Sequence, residues 1–165
     1  MDDLEFFRRH LHEQTPRIVQ WLLESWASIG EDEPWLALPP GLDQDHLPHL
    51  IPQLADVALR RDGKPEARRQ LMWAAVEHGR QRRECGFEDH LIYTEYQLLR
   101  RTLWRYLRDA FPDVSGTVRV ILNIDSAITM ASAGSLLGFH RDVLEAAGRW
   151  PEGVEKVLAE YSLGD

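Results

Sequence analysis

Residues 71–102, LMWAAVEHGRQRRECGFEDHLIYTEYQLLRRT, decide the fold class. Leu71, Ala75, His78, Arg82 and Cys85 recur at intervals of three and four, and after Gly86 the pattern restarts with Phe87, Leu91, Glu95, Leu98, Leu99 and Thr102. That spacing places each set on one face of an α-helix. The glycine between them is the residue type that ends a helix in the left-handed conformation. Two helices therefore meet across a short turn, and each brings an ionisable group onto its leucine face. Buried charge is tolerated only when paired. His78, Arg82 and Glu95 are accordingly expected to form a network, with Asp125 and Arg100 joining it.

The same periodicity extends outward. Asp2 or Asp3 begins a first helix to about Gln14, and Thr15-Pro16 offers an N-cap with proline at the first position of a second, to about Ile29. The stretch GEDEPWLALPPG, residues 30–41, is a break that separates an N-terminal helical arm (1–29) from a core bundle (43–149). Asp43 or Asp45 caps a helix to about Arg60, kinked at Pro52. Asp62-Gly63 is a turn, and Pro65 opens the helix that contains His78. The helix begun at Phe87 stops before Pro112. Asp113 or Ser115 caps a long one to about Arg149, with Val118, Leu122, Asp125, Thr129, Ser132, Leu136, Phe139 and Val143 on its inward stripe, and Pro151 starts a short last helix. No period-two run lies between hairpin turns. The expectation is one all-α domain over 1–165, a bundle of six to seven helices with a long helix near the C-terminus.

Composition excludes several classes. The 165 residues carry 19 Lys+Arg against 27 Asp+Glu, a net charge of -8. The lone cysteine, Cys85, rules out a disulfide framework and a cysteine-rich zinc site. The start, MDDLEFF, is acidic where a secretion signal is basic, and no apolar run reaches the ~18 residues of a membrane span. A cytoplasmic protein without membrane contact is expected. Residues 60–108 hold 12 Lys+Arg against 7 Asp+Glu, or +5, while the remainder holds 7 against 20, or -13. A basic face can meet phosphates, which keeps a nucleic-acid-associated regulator as an alternative. The acidic whole favours the basic segment complementing the acidic ones, within the chain or across a dimer.

No catalytic constellation stands out. No glutamate is followed by histidine three residues later, as a di-iron bundle needs, and HExxH is absent. His46 and His49 have the closest metal-ligand spacing but read as surface histidines, as do His10 and His12. Cys85 sits at a helix C-terminus, the wrong end for a reactive thiolate. Ser126, Ser132 and Ser135 lie inside a helix, away from any nucleophile elbow. No catalytic residue, metal or cofactor is therefore assigned. A haem or other small ligand stays open as an alternative, with His78 or His49 as the axial residue, although Arg82 one turn from His78 argues against it. Ala127, Ala131, Gly134 and Gly138 form a stripe of small residues that lets another helix approach closely. It is assigned as a homodimer seam, with tight packing inside the chain or a ligand pocket as the other readings. Of six tryptophans, Trp35 is the best candidate for exposure.

The run His78-Gly79-Arg80-Gln81-Arg82, then Gly86-Phe87, then Glu95-Tyr96-Gln97-Leu98-Leu99-Arg100-Arg101 resembles the HGxxR, QG[FY] and EYxxLRR signature of the N-terminal domain of RsbRD-type stressosome co-antagonists. The same helical domain stands before many bacterial histidine kinases. The segment LPHLIPQLA, residues 47–55, and Asp125 fit the pattern, while Glu84-Cys85 departs from the polar residue usual before the glycine. The resemblance covers about 45–130, most sharply 74–101. It implies an all-helical, non-catalytic sensory or regulatory domain of cytoplasmic signalling, related to haem-free globin-like sensors. A kinase or a STAS or anti-sigma type protein would be its partner. It points to His78, Arg82, Glu95, Tyr96, Arg100 and Asp125 as the ligand or network residues, and brings no ligand with it. His78 is the residue through which such a domain would sense pH or an anion.

Overall fold

The computed structural model describes residues 3–38, 47–60, 64–112 and 116–162. Among them are seven α-helices, one short 3-10 turn at Pro34–Leu36 and no strand. The all-α bundle with a long helix in its C-terminal half is as expected. Asp2, Asp43, Asp45, Asp62, Gly63, Asp113 and Ser115, named above as caps and turns, lie outside the described residues, as does His46.

The first helix, α1 (Asp3–Asp32), runs straight through the point where a break is expected. Phe7, Leu11, Thr15, Ile18, Leu22 and Trp26 are buried on one continuous stripe across Pro16. A proline inside a helix costs about 3 kcal/mol. Burying each large apolar side chain contributes about 1.5–3 kcal/mol, and the stripe has five of them, so burial wins. Thr15, taken for a cap, instead donates its hydroxyl back to the Leu11 carbonyl at 2.9 Å. The N-terminal arm is thus not set apart; its stripe belongs to the same core as the other helices. Helix α2 (Leu47–Leu59) likewise continues through Pro52.

Helix α3 (Lys64–Glu84) ends where Gly86 adopts φ +83°. The Gly86 N–H reaches the Arg83 carbonyl and the Phe87 N–H the Arg82 carbonyl, both at 3.0 Å, the paired bonds of a Schellman cap. Helix α4 (Asp89–Ala110) follows and stops before Pro112 as expected. Helix α5 (Thr117–Phe139) is the centre of the bundle and packs on α2, α3, α4 and the last helix, while α1 packs on α2 and α4.

Two expectations about α5 are corrected. It ends at Phe139, ten residues short of Arg149. Arg83 caps it by donating to the Phe139 carbonyl at 2.7 Å. The chain then bends through α6 (Arg141–Ala146) so that α7 (Glu152–Ser162) can return onto α3 and α5, burying Val154 and Leu158. The inward face is also rotated from the expected one. Val118, Leu122 and Val143 are 71, 63 and 61% exposed, and Asp125, Thr129 and Ser132 are half-buried. The buried face is Val120, Ile124, Ala127, Ile128, Met130, Ala131, Gly134, Ser135 and Gly138, with Phe139 the one member of the expected stripe that is buried. Among the described residues α5 is also the one helix long and apolar enough to cross a membrane, with mean hydropathy 1.4, and 44% of that stretch is buried inside the bundle.

The rotation has a steric cause. A Cβ on Gly79 of α3 would overlap the Ser135 backbone carbonyl, and one on Gly138 of α5 would overlap the Val76 carbonyl. A Cβ on Gly134 would come within 2.8 Å of the Met72 sulfur. The two backbones meet at Gly79 and Gly138, where no larger residue fits, while at Gly134 the Met72 side chain would have to give way. Ala127, Ala131, Gly134 and Gly138, assigned to a dimer seam, are therefore buried within the chain, the two glycines against α3.

Candidate functional site

The expected network exists, and it joins α3 to α4. His78 and Arg82 lie one turn apart on α3, and the Schellman turn folds α4 back so that Glu95 faces both. His78 Nε2 is 2.8 Å from Glu95 Oε2, while Arg82 donates Nη2 to Oε1 at 2.7 Å and Nε to Oε2 at 3.3 Å. The three side chains are 1–2% exposed. Phe87, the residue after the turn glycine, places its ring 5.0 Å from the Arg82 guanidinium and closes that end. Burial would raise the Glu95 carboxyl, but His78 and Arg82 outweigh it and hold it down at about 2. The Glu95 carboxylate is ionised at any physiological pH.

Tyr96, the next residue of α4, points to α5. Its hydroxyl is 2.8 Å from Ser135 Oγ, and Ser135 donates to the Ala75 carbonyl of α3 at 2.8 Å. Burial pushes the Tyr96 phenol well above its usual range, so it stays neutral. This relay links three helices. Ser135 is the member of this cluster that sequence reasoning missed, having weighed it as a nucleophile and set it aside inside a helix. Its place between Ala131 and Gly138, where α3 comes closest, is visible only once the two helices are packed.

Arg100 and Asp125 form a separate, half-buried cluster. They are ion-paired, and Arg100 also donates to Thr129 Oγ1 and to Gln97 Oε1, each at 3.1 Å. The single network expected from sequence is thus two: a sealed one, Glu95–His78–Arg82 with Tyr96–Ser135 beside it, and an edge pair between α4 and α5. The cause is the rotation of α5, which carries Asp125 to the rim and Ser135 to the centre.

The chemistry of the sealed site is limited. A groove between α1 and α4, a hollow between the N-terminal ends of α1, α3 and α5, and another beside His10 are all lined by other residues. Among the described residues no three His, Cys, Asp or Glu side chains gather as metal ligands. His78 Nε2, the nitrogen a haem iron would use, is taken by Glu95, and His49 lies on the surface. His10 and His12, read as surface histidines, are half-buried and bonded to Tyr106 at 2.6 Å and Asp56 at 2.9 Å. What the arrangement does is fix the register of α3 on α4 and, through Ser135, of both on α5.

The basic segment is matched in part by the acidic remainder within the chain. Arg69 pairs with Glu155 at 2.9 Å, Arg83 with Asp142 at 3.1 Å, and Arg100 with Asp125. No family model matches the sequence, and neither a curated protein nor a solved structure matches it.

Proposed function

We propose that this chain is a non-catalytic sensory or regulatory domain of bacterial signal transduction. It works in the cytoplasm through helix packing and through contacts with a kinase or a STAS or anti-sigma type protein, as a homodimer. One observation carries the reading: the residues that resemble the RsbRD-type signature, His78, Arg82, Glu95 and Tyr96, coincide with the buried polar contacts joining α3, α4 and α5. Groups sealed from solvent are poorly placed to turn over a substrate and well placed to hold two helices in one register. An ion pair in a dry interior is strongly sensitive to geometry, so a partner that shifts one helix acts on the whole junction.

The test is biochemical. The purified chain is added to a kinase or STAS protein encoded by a neighbouring gene, and the rate of phosphate transfer is followed. A rate that changes with the wild-type chain and not with Glu95→Gln supports the reading. Rates unaffected by the wild-type chain across all such neighbours overturn it.

A further inference from the structure

Once the pairs within the chain are counted, positive charge remains on the outer face of α4. Arg101, Arg105 and Arg108 line a groove of about 780 Å³ between α1 and α4, together with Trp104, which is 40% exposed, and Ile121 of α5. The carboxylates near them are Glu24 on the α1 wall and Asp109, which Arg108 contacts at 2.8 Å and Arg105 at 3.6 Å. Arg101 has no acidic partner among the described residues. Arginine and tryptophan around an apolar floor are the residue types that concentrate binding energy at protein interfaces. Two such grooves cannot face each other, because their arginines would be opposed. The occupant must be acidic.

The chain carries a matching element at the end of the same helix. Beyond Ile29, which lines the groove, come the exposed Glu31, Asp32 and Glu33, none paired with a cation among the described residues, and then Trp35, 63% exposed. The element is held in place. Trp26 donates its indole N–H to the Leu36 carbonyl at 2.8 Å, Trp35 donates its own to Glu33 at 2.6 Å, and the His90 ring lies 5.6 Å from that of Trp35. An acidic tryptophan knob and a basic tryptophan groove therefore adjoin on one side of the molecule. That is the self-complementary arrangement a two-fold dimer requires.

We propose that a second copy of this chain is the occupant, its Glu31–Trp35 knob seated in the Arg101–Arg105–Arg108 groove and the reverse contact made across the two-fold axis. The inference deepens the proposed function by naming the homodimer surface, and it replaces the small-residue stripe as that surface. Charge reversal tests it. A groove variant (Arg101→Glu with Arg105→Glu) and a knob variant (Asp32→Arg with Glu33→Arg) each alter exposed side chains, so helix content by circular dichroism stays at the wild-type level. In sedimentation equilibrium the wild type associates to twice 19.1 kDa below about 1 mM. Each variant alone has its dimer dissociation constant raised at least about 100-fold. An equimolar mixture of the two restores the dimer, because both contacts of the mixed pair are again attractive. A wild type that stays at 19.1 kDa, or a dimer indifferent to both reversals, overturns the proposal. A monomeric wild type also removes the homodimer from the proposed function, whereas the regulatory contact with a kinase or STAS or anti-sigma type protein keeps its own phosphate-transfer test.

Discussion

Glu95 is the residue on which most of the core polar structure depends, since it accepts from both His78 and Arg82 while almost wholly excluded from water. Removing one partner of a buried pair strands the other's charge, at a cost of about 3–5 kcal/mol. Glu95→Ala should lose that much in urea denaturation, and a loss under about 1 kcal/mol would place the carboxylate in solvent. The acid limit follows from the same residue. Its carboxyl is held at about 2, below the 4.5 of an unfolded chain. Between those values the unfolded state binds more protons, so stability rises with pH there. The contribution, on the order of 3 kcal/mol, is complete above about pH 4.5 and lost as pH falls toward 2. Denaturation midpoints across that window should fall in the wild type and much less in Glu95→Gln. Residue types made this cluster legible: a histidine, an arginine and a glutamate on leucine faces declare themselves. Ser135 was not legible, because a serine within a helix carries no such conflict.

At the scale of elements, periodicity revealed the helices and their order, and misjudged two of them for physical reasons. The Thr15-Pro16 pair has the chemistry of a helix start, but a stripe from Phe7 to Trp26 outweighs one proline. In α5 the inward face is built from alanine and glycine because α3 approaches backbone to backbone, and small residues carry little hydrophobic weight. Val118 and Leu122 therefore dominated the pattern while lying outside. Leu122→Ser should consequently change stability by no more than about 0.5 kcal/mol. Gly79→Ala or Gly138→Ala drives a methyl into a carbonyl of the opposite helix and should cost about 3 kcal/mol, roughly 10 °C in melting temperature. At Gly86 the strain is conformational, with open space around it, and Gly86→Ala should cost about 1–2 kcal/mol. Equal effects at all three glycines would contradict the close α3–α5 contact.

For the whole molecule, the sealed triad, the Tyr96–Ser135 relay and the glycine contacts converge on the junction of α3, α4 and α5, making it the unit whose register is fixed. The charge asymmetry of the sequence is explained in part within the chain, by Arg69, Arg83 and Arg100, and its residue lies on the outer face of α4. That Trp35 would be exposed was legible from its acidic, proline-bounded setting. The arginine groove was not, because it is assembled from α1, α4 and α5 across long sequence separations. The claim that the triad locks this junction is tested most directly by native-state amide hydrogen exchange on the wild type and Glu95→Gln. The account predicts that amides of residues 75–82 and 92–99 are among the slowest in the wild type, and that in the variant both stretches open together, faster by at least about 100-fold. Protection in those stretches unchanged by the substitution would contradict it.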